Sequence, residues 1–332
     1  MSRRCRILLG ISVALSVAGV GTAADTAVHR RALVYERNDA VIVARIDGTH
    51  ARRLARGWSP RISPDGRWIA FIRCTGCKEG SDVGRVDLWV VAAGGGRARR
   101  LARRVDEVTW APDSRTLVAA HVWKPLRVVR LDGRVRTLAR GPVFGSGLSP
   151  DGQNVLYSRI GKTTTCGSRA DVYRVPIGGG VERRLTHDGR SGSAVWGRPG
   201  IAFGHTTAGC GVGTIWFMRP DGSGMRAVLP RLPPDLTHSG YYGLNPVAWL
   251  PDGRLLAAIS MEFRNEAVVV DVRTGRLRRL GVPVDTVSRD GRWIVGTASS
   301  AEYPFSILIA PLGGGPNRTI ARGKVCCANW NR

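Results

Sequence analysis

The 332-residue chain is strongly basic, with 50 Lys and Arg residues against 25 Asp and Glu residues and a formal net charge of +25. Hydrophobic residues make up 43% of it, alongside 43 Gly and 18 Pro, which excludes a chain without a packed core and predicts many turns. After the N-terminal segment no apolar run is long enough to cross a bilayer, which excludes a multi-span membrane protein. The charge makes nucleic acid, anionic lipid and acidic cell-wall polymer candidate partners.

Residues 1–24 have the pattern of an export signal peptide. Arg3, Arg4 and Arg6 form a positive region, and the apolar run Ile7–Val20 that follows has a length typical of signal peptides. The small residues of Thr22–Ala24 predict cleavage at their end. We therefore expect a mature chain of residues 25–332 that is extracellular, periplasmic or held in the cell envelope, with no integral membrane segment. A membrane anchor and a twin-arginine signal are the alternatives.

A hairpin motif recurs along the rest of the chain. In its clearest copy, Arg61–Ile72, Pro64 fixes φ for a tight turn, Asp65 can accept a local hydrogen bond, and Gly66 tolerates a positive φ. The second strand of this hairpin is apolar on both faces, which predicts burial between packed sheets. Further copies begin at Trp110, Leu148, Trp249 and Val287, with a degenerate copy at Trp196. Because the turn aspartates repeat, we interpret them as turn caps and not as acid–base or metal-binding groups.

Each hairpin is followed by a third strand that ends in a Gly-rich turn, and then by a basic fourth strand. These glycines lie between strands and not before a helix, so they predict hairpins and not a phosphate-binding loop. The fourth strand recurs at intervals of roughly 37 to 51 residues, the range of four-stranded propeller blades. Its seven copies are Ala51–Leu54, Arg99–Leu101, Arg136–Leu138, Arg183–Leu185, Arg226–Leu229, Arg278–Leu280 and Arg318–Ile320.

The two ends of the chain complement each other. The first repeat, residues 32–55, lacks the first strand of the hairpin, and residues 325–330 have the character of that missing strand. Trp330 falls in register with the tryptophans at 110, 196 and 249. We therefore predict an all-β, seven-bladed β-propeller in a single domain, closed by the C-terminal strand joining the N-terminal blade.

The Ser-Pro-Asp-Gly hairpin, best seen in Ser63–Phe71 and Ser149–Tyr157, resembles the WD40-like repeats of TolB-type β-propellers. The basic fourth strand fits the same family, and the resemblance covers residues 30–332. The chain differs from TolB in having no separate N-terminal α/β domain and in counting to seven blades rather than six. Propellers of this kind also occur on prolyl-oligopeptidase-type peptidases, but the sequence has no Gly-x-Ser-x-Gly elbow for their hydrolase domain.

The resemblance implies the propeller family and not TolB's cell-envelope role, and the signal peptide adds that the propeller is secreted or held in the cell envelope, where we expect it to bind a protein or envelope partner. We predict a monomeric, non-catalytic binding or scaffold module without a cofactor, and hence not an enzyme. One alternative is a lactonase-like propeller hydrolase with its site at the central channel. The other is a binder of anionic cell-surface polymer through the Arg-rich fourth strands, although arginines on exposed edges also stop sheets from pairing with other chains.

The candidate contact surface is the face that carries the loops between second and third strands and the links between blades, because ligands usually approach such loops. The longest link, residues 230–246, is rich in proline and contains adjacent tyrosines, which suit a contact surface. Ordinary loop packing is the alternative. The candidate binding residues on this face are Trp123, Lys124, His238, Tyr241, Tyr242 and Tyr303.

Six cysteines remain after signal removal, an even number that suggests disulfides in an exported protein. The candidates are Cys74, Cys77, Cys166, Cys210, Cys326 and Cys327. Cys166 and Cys210 occupy equivalent loops of consecutive blades and could be linked. Cys74 and Cys77 could pair with each other, or either could pair with one of the two cysteines near the C-terminus. Cys74-x-x-Cys77 has no second pair with zinc-site spacing, so we predict no metal site.

Overall fold

The computed structural model describes residues 32–75, 85–121, 124–164, 167–206, 213–229, 233–234, 241–261, 265–298 and 305–330. The signal peptide predicted for residues 1–24 lies outside these ranges. The described part of the chain contains 28 β-strands. These strands pair antiparallel, except that β18 and β20 are joined by one parallel bridge. Within the same ranges no helix is long and apolar enough to cross a membrane.

The strands form four-stranded units, which we number in chain order. Unit 1 comprises β28 (Val325–Trp330), β1 (Ala32–Arg37), β2 (Ala40–Arg45) and β3 (Arg52–Arg56). Unit 2 comprises β4 (Trp58–Ile62), β5 (Trp68–Thr75), β6 (Arg85–Ala92) and β7 (Arg99–Arg103). Unit 3 comprises β8 (Glu107–Trp110), β9 (Thr116–Ala120), β10 (Leu126–Arg130) and β11 (Val135–Ala139).

Units 4 to 7 follow the same strand order. Unit 4 comprises β12 (Val143–Leu148), β13 (Asn154–Thr164), β14 (Gly167–Pro176) and β15 (Arg183–Arg184). Unit 5 comprises β16 (Ser191–Gly197), β17 (Gly200–Thr206), β18 (Gly213–Met218) and β19 (Arg226–Ala227). Unit 6 comprises β20 (Tyr241–Trp249), β21 (Leu255–Met261), β22 (Asn265–Val270) and β23 (Leu277–Arg279). Unit 7 comprises β24 (Thr286–Val287), β25 (Trp293–Ala298), β26 (Phe305–Pro311) and β27 (Arg318–Gly323).

The C-terminal strand completes the sheet that contains the N-terminal strands. β28 pairs antiparallel with β1, with Leu33 opposite Trp330 and Arg37 opposite Val325. Units 5 and 6 share one sheet through a single parallel bridge between Gly213 and Gly243. The prediction of an all-β chain built from four-stranded sheets is confirmed.

The turn between first and second strands is built as its sequence predicts. In unit 2 the Asp65 carboxylate accepts hydrogen bonds from the Ser63 hydroxyl at 2.6 Å and from the Arg67 N–H at 3.0 Å. Gly66 has φ +76°, which a residue with a Cβ rarely adopts. The turn aspartates at 113, 151, 252 and 290 each accept a hydrogen bond from the backbone two residues on. They are therefore local caps.

The core lies between the units. The second strand of unit 2 shows why it needs two apolar faces: Ile69 and Phe71 pack against unit 1, while Ala70 and Ile72 pack against unit 3. Comparable buried clusters join units 3 and 4, 4 and 5, 5 and 6, and 6 and 7. A further cluster packs unit 7 against unit 1 and contains Trp330. Burial of these apolar surfaces is the main stabilising contribution to the fold.

Candidate functional site

The structure describes only part of the contact surface expected from sequence. Trp123, His238 and Tyr303 lie outside the described residues. Lys124 is exposed, and its backbone N–H donates to the His121 carbonyl oxygen at 2.8 Å. Tyr241 and Tyr242 begin β20, where the former lies opposite Met261 of β21. A role for these six residues in binding therefore remains a prediction.

The first arginine of the fourth-strand signature links neighbouring units. Arg136 in unit 3 donates to the carbonyl oxygen of Ile177 in unit 4 at 2.7 Å. The same arrangement joins Arg52 to Ala93. It also joins Arg99 to Leu131, Arg226 to Val272 and Arg278 to Leu312, at 2.5 to 2.8 Å. Each acceptor lies beside the turn after the third strand of the next unit. Sequence analysis missed this role because each acceptor is distant in the sequence.

The second arginine of the signature forms an ion pair with an acid on the third strand of its own unit. Arg184 lies 2.7 Å from Asp171, and Arg100 lies 3.4 Å from Asp87, whose side chain is fully buried. In unit 6 the Arg279 Nε donates to Glu266 at 3.0 Å. Much of the basic charge on the fourth strands is therefore already engaged within the fold, which disfavours a dense row of unpaired cations along this edge.

Polar side chains join the first strands of neighbouring units at the opposite edge of the sheets. Glu107 of β8 accepts from the backbone N–H groups of Gly145 and Ser146 in β12, at 3.1 and 3.2 Å. Asp285 accepts from the Thr297 hydroxyl at 2.6 Å and from the N–H of Ala328 in β28 at 3.2 Å. Both carboxylates thus have hydrogen-bond donors from the protein itself.

Arg61 of β4 lies in the same set of first strands but lacks comparable partners. Among the described residues, the only acceptor for its side chain is the carbonyl oxygen of Pro60, 3.2 Å from Nη1. No carboxylate in the described ranges lies within ion-pair distance of it. Burial lowers the pKa of Arg61, and the charges of Asp285 and Glu107 partly offset that effect. Since a guanidinium carries five N–H donors, most of its hydrogen-bonding capacity is available to a ligand.

A second polar group lies in unit 5. The His205 Nε2 is 2.7 Å from the Asp188 carboxylate, and the imidazole stacks on Trp216 with ring centroids 4.2 Å apart. The buried Nδ1 atom has no partner among the described residues. Ser191 donates to Asp188 at 3.2 Å. An Asp–His pair can serve acid–base chemistry, but this serine bonds to the acid and not to the imidazole. Sequence analysis missed this pair because its members are far apart in sequence.

A cleft of about 490 Å³ lies between units 3 and 4. On one wall Arg159 forms a bidentate ion pair with Glu182, with one distance of 2.6 Å. Glu182 also accepts a hydrogen bond from Tyr157. The Arg159 guanidinium lies 4.6 Å from the centre of the Tyr173 ring. These charges are already matched within the protein. The cleft is lined by Leu138, Ala139, Arg140, Gly141, Arg159, Gly180 and Glu182.

The adjacent cysteines Cys326 and Cys327 form a disulfide with each other. The structure thus pairs neither of them with Cys74 or Cys77. Cys74 is itself disulfide-bonded, and Cys77, Cys166 and Cys210 lie outside the described residues. The link considered between the latter two stays a prediction.

Comparisons with known proteins identify the fold. No family model matches the chain, and no curated protein matches it. Among solved structures, TolB from Acinetobacter baumannii has 14% identity and a TM-score of 0.52, with 90% of this chain and 66% of that chain covered. The β-propeller domain of the Trilobed protease from Pyrococcus furiosus has 14% identity and a TM-score of 0.61, with 85% and 86% covered.

A puromycin-hydrolyzing peptidase from Mycobacterium tuberculosis has 18% identity and a TM-score of 0.58, with 91% of this chain and 55% of that chain covered. The chain thus spans two thirds or less of the length of that peptidase and of TolB. At these identities the similarity shows a β-propeller fold and the fold alone. The prediction that the chain is not an enzyme is nevertheless wrong as stated. The fold is shared with a protease and a peptidase, so catalysis is possible.

Proposed function

We propose that the chain is an exported, monomeric propeller of seven blades. Residues 1–24 act as the signal peptide, and residues 25–332 form one domain located outside the cytoplasm. Each four-stranded unit is one blade, and β28 closes the ring by completing the first blade. The apolar clusters between successive units support this arrangement, above all the cluster that packs unit 7 against unit 1. The Pyrococcus furiosus propeller, by contrast, is described as having an open velcro topology.

The propeller binds a protein partner at the ends of its first strands, where Arg61 lies. The observation that carries this function is the unused hydrogen-bonding capacity of that half-buried guanidinium. A charged group that is partly removed from water is costly unless it is paired, so a ligand that supplies the missing partner gains affinity. A carboxylate matches a guanidinium in shape and charge. The partner therefore presents an acidic side chain or a C-terminal carboxylate.

A protein partner fits the molecule better than an anionic polymer does. Polymer binding draws its affinity from many unpaired cations that displace counterions. Here the fourth-strand arginines are largely engaged with backbone carbonyls and buried acids. A half-buried cation with few acceptors, such as Arg61, instead suits recognition of one carboxylate by a shaped surface.

The test is affinity capture from the envelope fraction of the source cells, with the mature chain immobilised at physiological salt. We expect a protein that is recovered by the wild type and reduced at least about tenfold by Arg61→Gln, the loss of one charge-assisted hydrogen-bonded pair. Arg53→Gln is the matched control, because Arg53 lies on the exposed edge of β3. Equal recovery by the wild type and Arg61→Gln, with both variants folded by circular dichroism, would contradict the proposal.

Hydrolysis is a second candidate function, favoured by the Asp188–His205 pair and its unpartnered imidazole nitrogen. The kind of hydrolase considered in the sequence analysis is a lactonase-like enzyme with its site at the central channel. Fluorogenic lactone, ester and peptide substrates test it directly. Turnover that falls at least about tenfold in His205→Gln, with the Tm unchanged, would support this function. Absence of turnover by the wild type would rule it out for these substrate classes.

A further inference from the structure

The adjacent cysteines of β28 are placed on one side of their strand by local backbone irregularities. Neighbouring residues of a regular strand point to opposite faces. Cys327 has φ +60°, a left-handed conformation that is uncommon for a residue with a side chain. The pairing of β28 with β1 also shifts register between Val34 and Glu36. Together these departures bring the sulfur atoms of Cys326 and Cys327 onto the same side, where they are bonded.

A carboxylate stands against this pair of sulfurs. Glu36 lies opposite Cys326 across the β1–β28 ladder, and its Oε2 is 3.2 Å from the Cys326 Sγ. One carboxylate oxygen and both sulfurs lie within 4.8 Å of one another, and all three residues are half-buried. A disulfide sulfur carries no hydrogen, so it offers Glu36 no hydrogen bond. The Glu36 carboxylate has a backbone hydrogen bond at Ser59 and the charge of Lys324 nearby, and on its Cys326 side it gains a partner when the sulfurs are thiols or hold a cation.

Two thiolates and one carboxylate form a ligand set suited to zinc. Zn²⁺ is bound in proteins by Cys sulfur and by Asp or Glu oxygen, and sites with three protein ligands keep the fourth position open. Soft thiolate ligands select such cations over Mg²⁺ and Ca²⁺. We propose that Cys326, Cys327 and Glu36 form a three-ligand site for Zn²⁺ when the disulfide is reduced. The proposal is independent of the partner-binding function of Arg61.

The switch between the two forms is a thiol–disulfide exchange. One thiol of a dithiol reductant attacks one sulfur of the pair and forms a mixed disulfide with the protein. The second thiol of the reductant then attacks this mixed disulfide and frees the protein sulfur. The reductant leaves as a disulfide, and the protein gains two thiols. Zn²⁺ then binds both sulfurs, displaces their two protons and takes the Glu36 carboxylate as its third ligand. A small-molecule disulfide reverses the sequence: exchange with the two protein thiolates re-forms the Cys326–Cys327 bond, the oxidant leaves as two thiols, and the metal is released.

The test measures Zn²⁺ binding by the mature chain before and after reduction with a phosphine, which has no thiols to compete for the metal. A chromophoric chelator reports affinity, and Co²⁺ in place of Zn²⁺ reports thiolate ligation through its charge-transfer band. We expect reduced wild type to bind one more Zn²⁺ than the reduced double variant Cys326→Ser, Cys327→Ser. We expect Glu36→Gln to keep the thiolate band and to bind Zn²⁺ at least about tenfold more weakly.

The matched control is the double variant Cys74→Ser, Cys77→Ser, which removes the other closely spaced cysteines and should retain the extra Zn²⁺. Thermal melting shows whether each variant is folded. Equal Zn²⁺ stoichiometry in reduced wild type and the Cys326→Ser, Cys327→Ser variant would overturn the site. Equal Zn²⁺ affinity in the oxidised and reduced wild type would overturn it as well. Unchanged affinity in Glu36→Gln would remove the carboxylate and with it the three-ligand geometry.

Discussion

At the scale of single residues, two carboxylates have opposite environments. Burial raises the pKa of Asp285 above its ordinary value, despite the hydrogen bonds from Thr297 and Ala328. The bidentate contact with Arg159 instead lowers the pKa of Glu182. Ionised Asp285 therefore destabilises the folded state at neutral pH, whereas ionised Glu182 stabilises it.

This contrast predicts opposite effects of two neutralising substitutions. For Asp285, stability is lost as the pH rises from the unfolded pKa through the higher folded pKa, so Asp285→Asn should raise stability at pH 7 by about 1 kcal/mol. For Glu182, stability is lost as the pH falls through its lower folded pKa, so Glu182→Gln should lower stability at pH 7 by about 0.5–1 kcal/mol, a small value because the pair is partly exposed. Urea unfolding at pH 7 and near pH 3 measures both.

Both differences should shrink as the pH falls, that of Asp285 below the unfolded pKa of its carboxyl group and that of Glu182 as the pH passes through its lowered folded pKa. Each variant is the control for the other, since a general effect of charge removal would move both in one direction. Shifts of the same sign at pH 7 would contradict the assigned environments.

At the scale of the element, the fourth strand divides its arginines between two tasks. The first arginine reaches the next unit, and the second bonds within its own unit or faces water. Arg52 and Arg53 in β3 are suited to a direct comparison. The Arg52 side chain donates to the Ala93 carbonyl oxygen of unit 2, whereas the Arg53 side chain has no hydrogen-bond partner among the described residues. Adjacent residues of identical chemistry can therefore be compared directly.

Arg52→Ala should lower the free energy of unfolding by about 1–2 kcal/mol, the contribution of a hydrogen bond from a charged donor. Arg53→Ala should change it by less than about 0.5 kcal/mol, as expected for an exposed residue without such a contact. Thermal and urea unfolding of the two variants provide the measurement. Equal losses would show that these arginines contribute to stability only through their position on the edge strand β3.

The elements that the sequence predicts well are those whose causes are local. The Pro-Asp-Gly turn and the apolar strand after it lie within a dozen residues, so Arg61–Ile72 reveals its own hairpin. The arginine links could not be predicted in this way, because Arg136 and its acceptor Ile177 are 41 residues apart. The bond between Cys326 and Cys327 was missed for a related reason: it depends on the positive φ of Cys327, which side-chain alternation in a strand does not anticipate.

At the scale of the whole molecule, the strength of the contact between the two ends of the chain decides how the protein unfolds. Trp330 in β28 and Trp110 in β8 occupy the same position in their units and are 4% and 8% exposed. The Trp110 Nε1 additionally donates to the Arg61 carbonyl oxygen at 2.8 Å. The contact at the chain ends can therefore be compared with an internal contact of the same kind.

Trp330→Ala should cost about 3–5 kcal/mol, the range for removing a buried aromatic side chain. Trp110→Ala should cost the same or about 1 kcal/mol more, because it also loses a hydrogen bond. Calorimetry of both variants gives the comparison, with Val181→Ala as a control at a side chain that is 90% exposed. A cost for Trp330→Ala far below that for Trp110→Ala would mean that the ends of the chain separate in solution.

The pairing of β28 with β1 also sets an order of events during biosynthesis. A ribosome synthesises residues 32–37 long before residues 325–330, so one edge of β1 lacks its β28 partner while the strands between them are being made. Throughout that interval the apolar side chains of Leu33 and Tyr35 lack their contacts with β28. The sheet of unit 1 is thus completed only after β28 has been synthesised. A nascent chain stalled before β28 should be a substrate for chaperones and proteases.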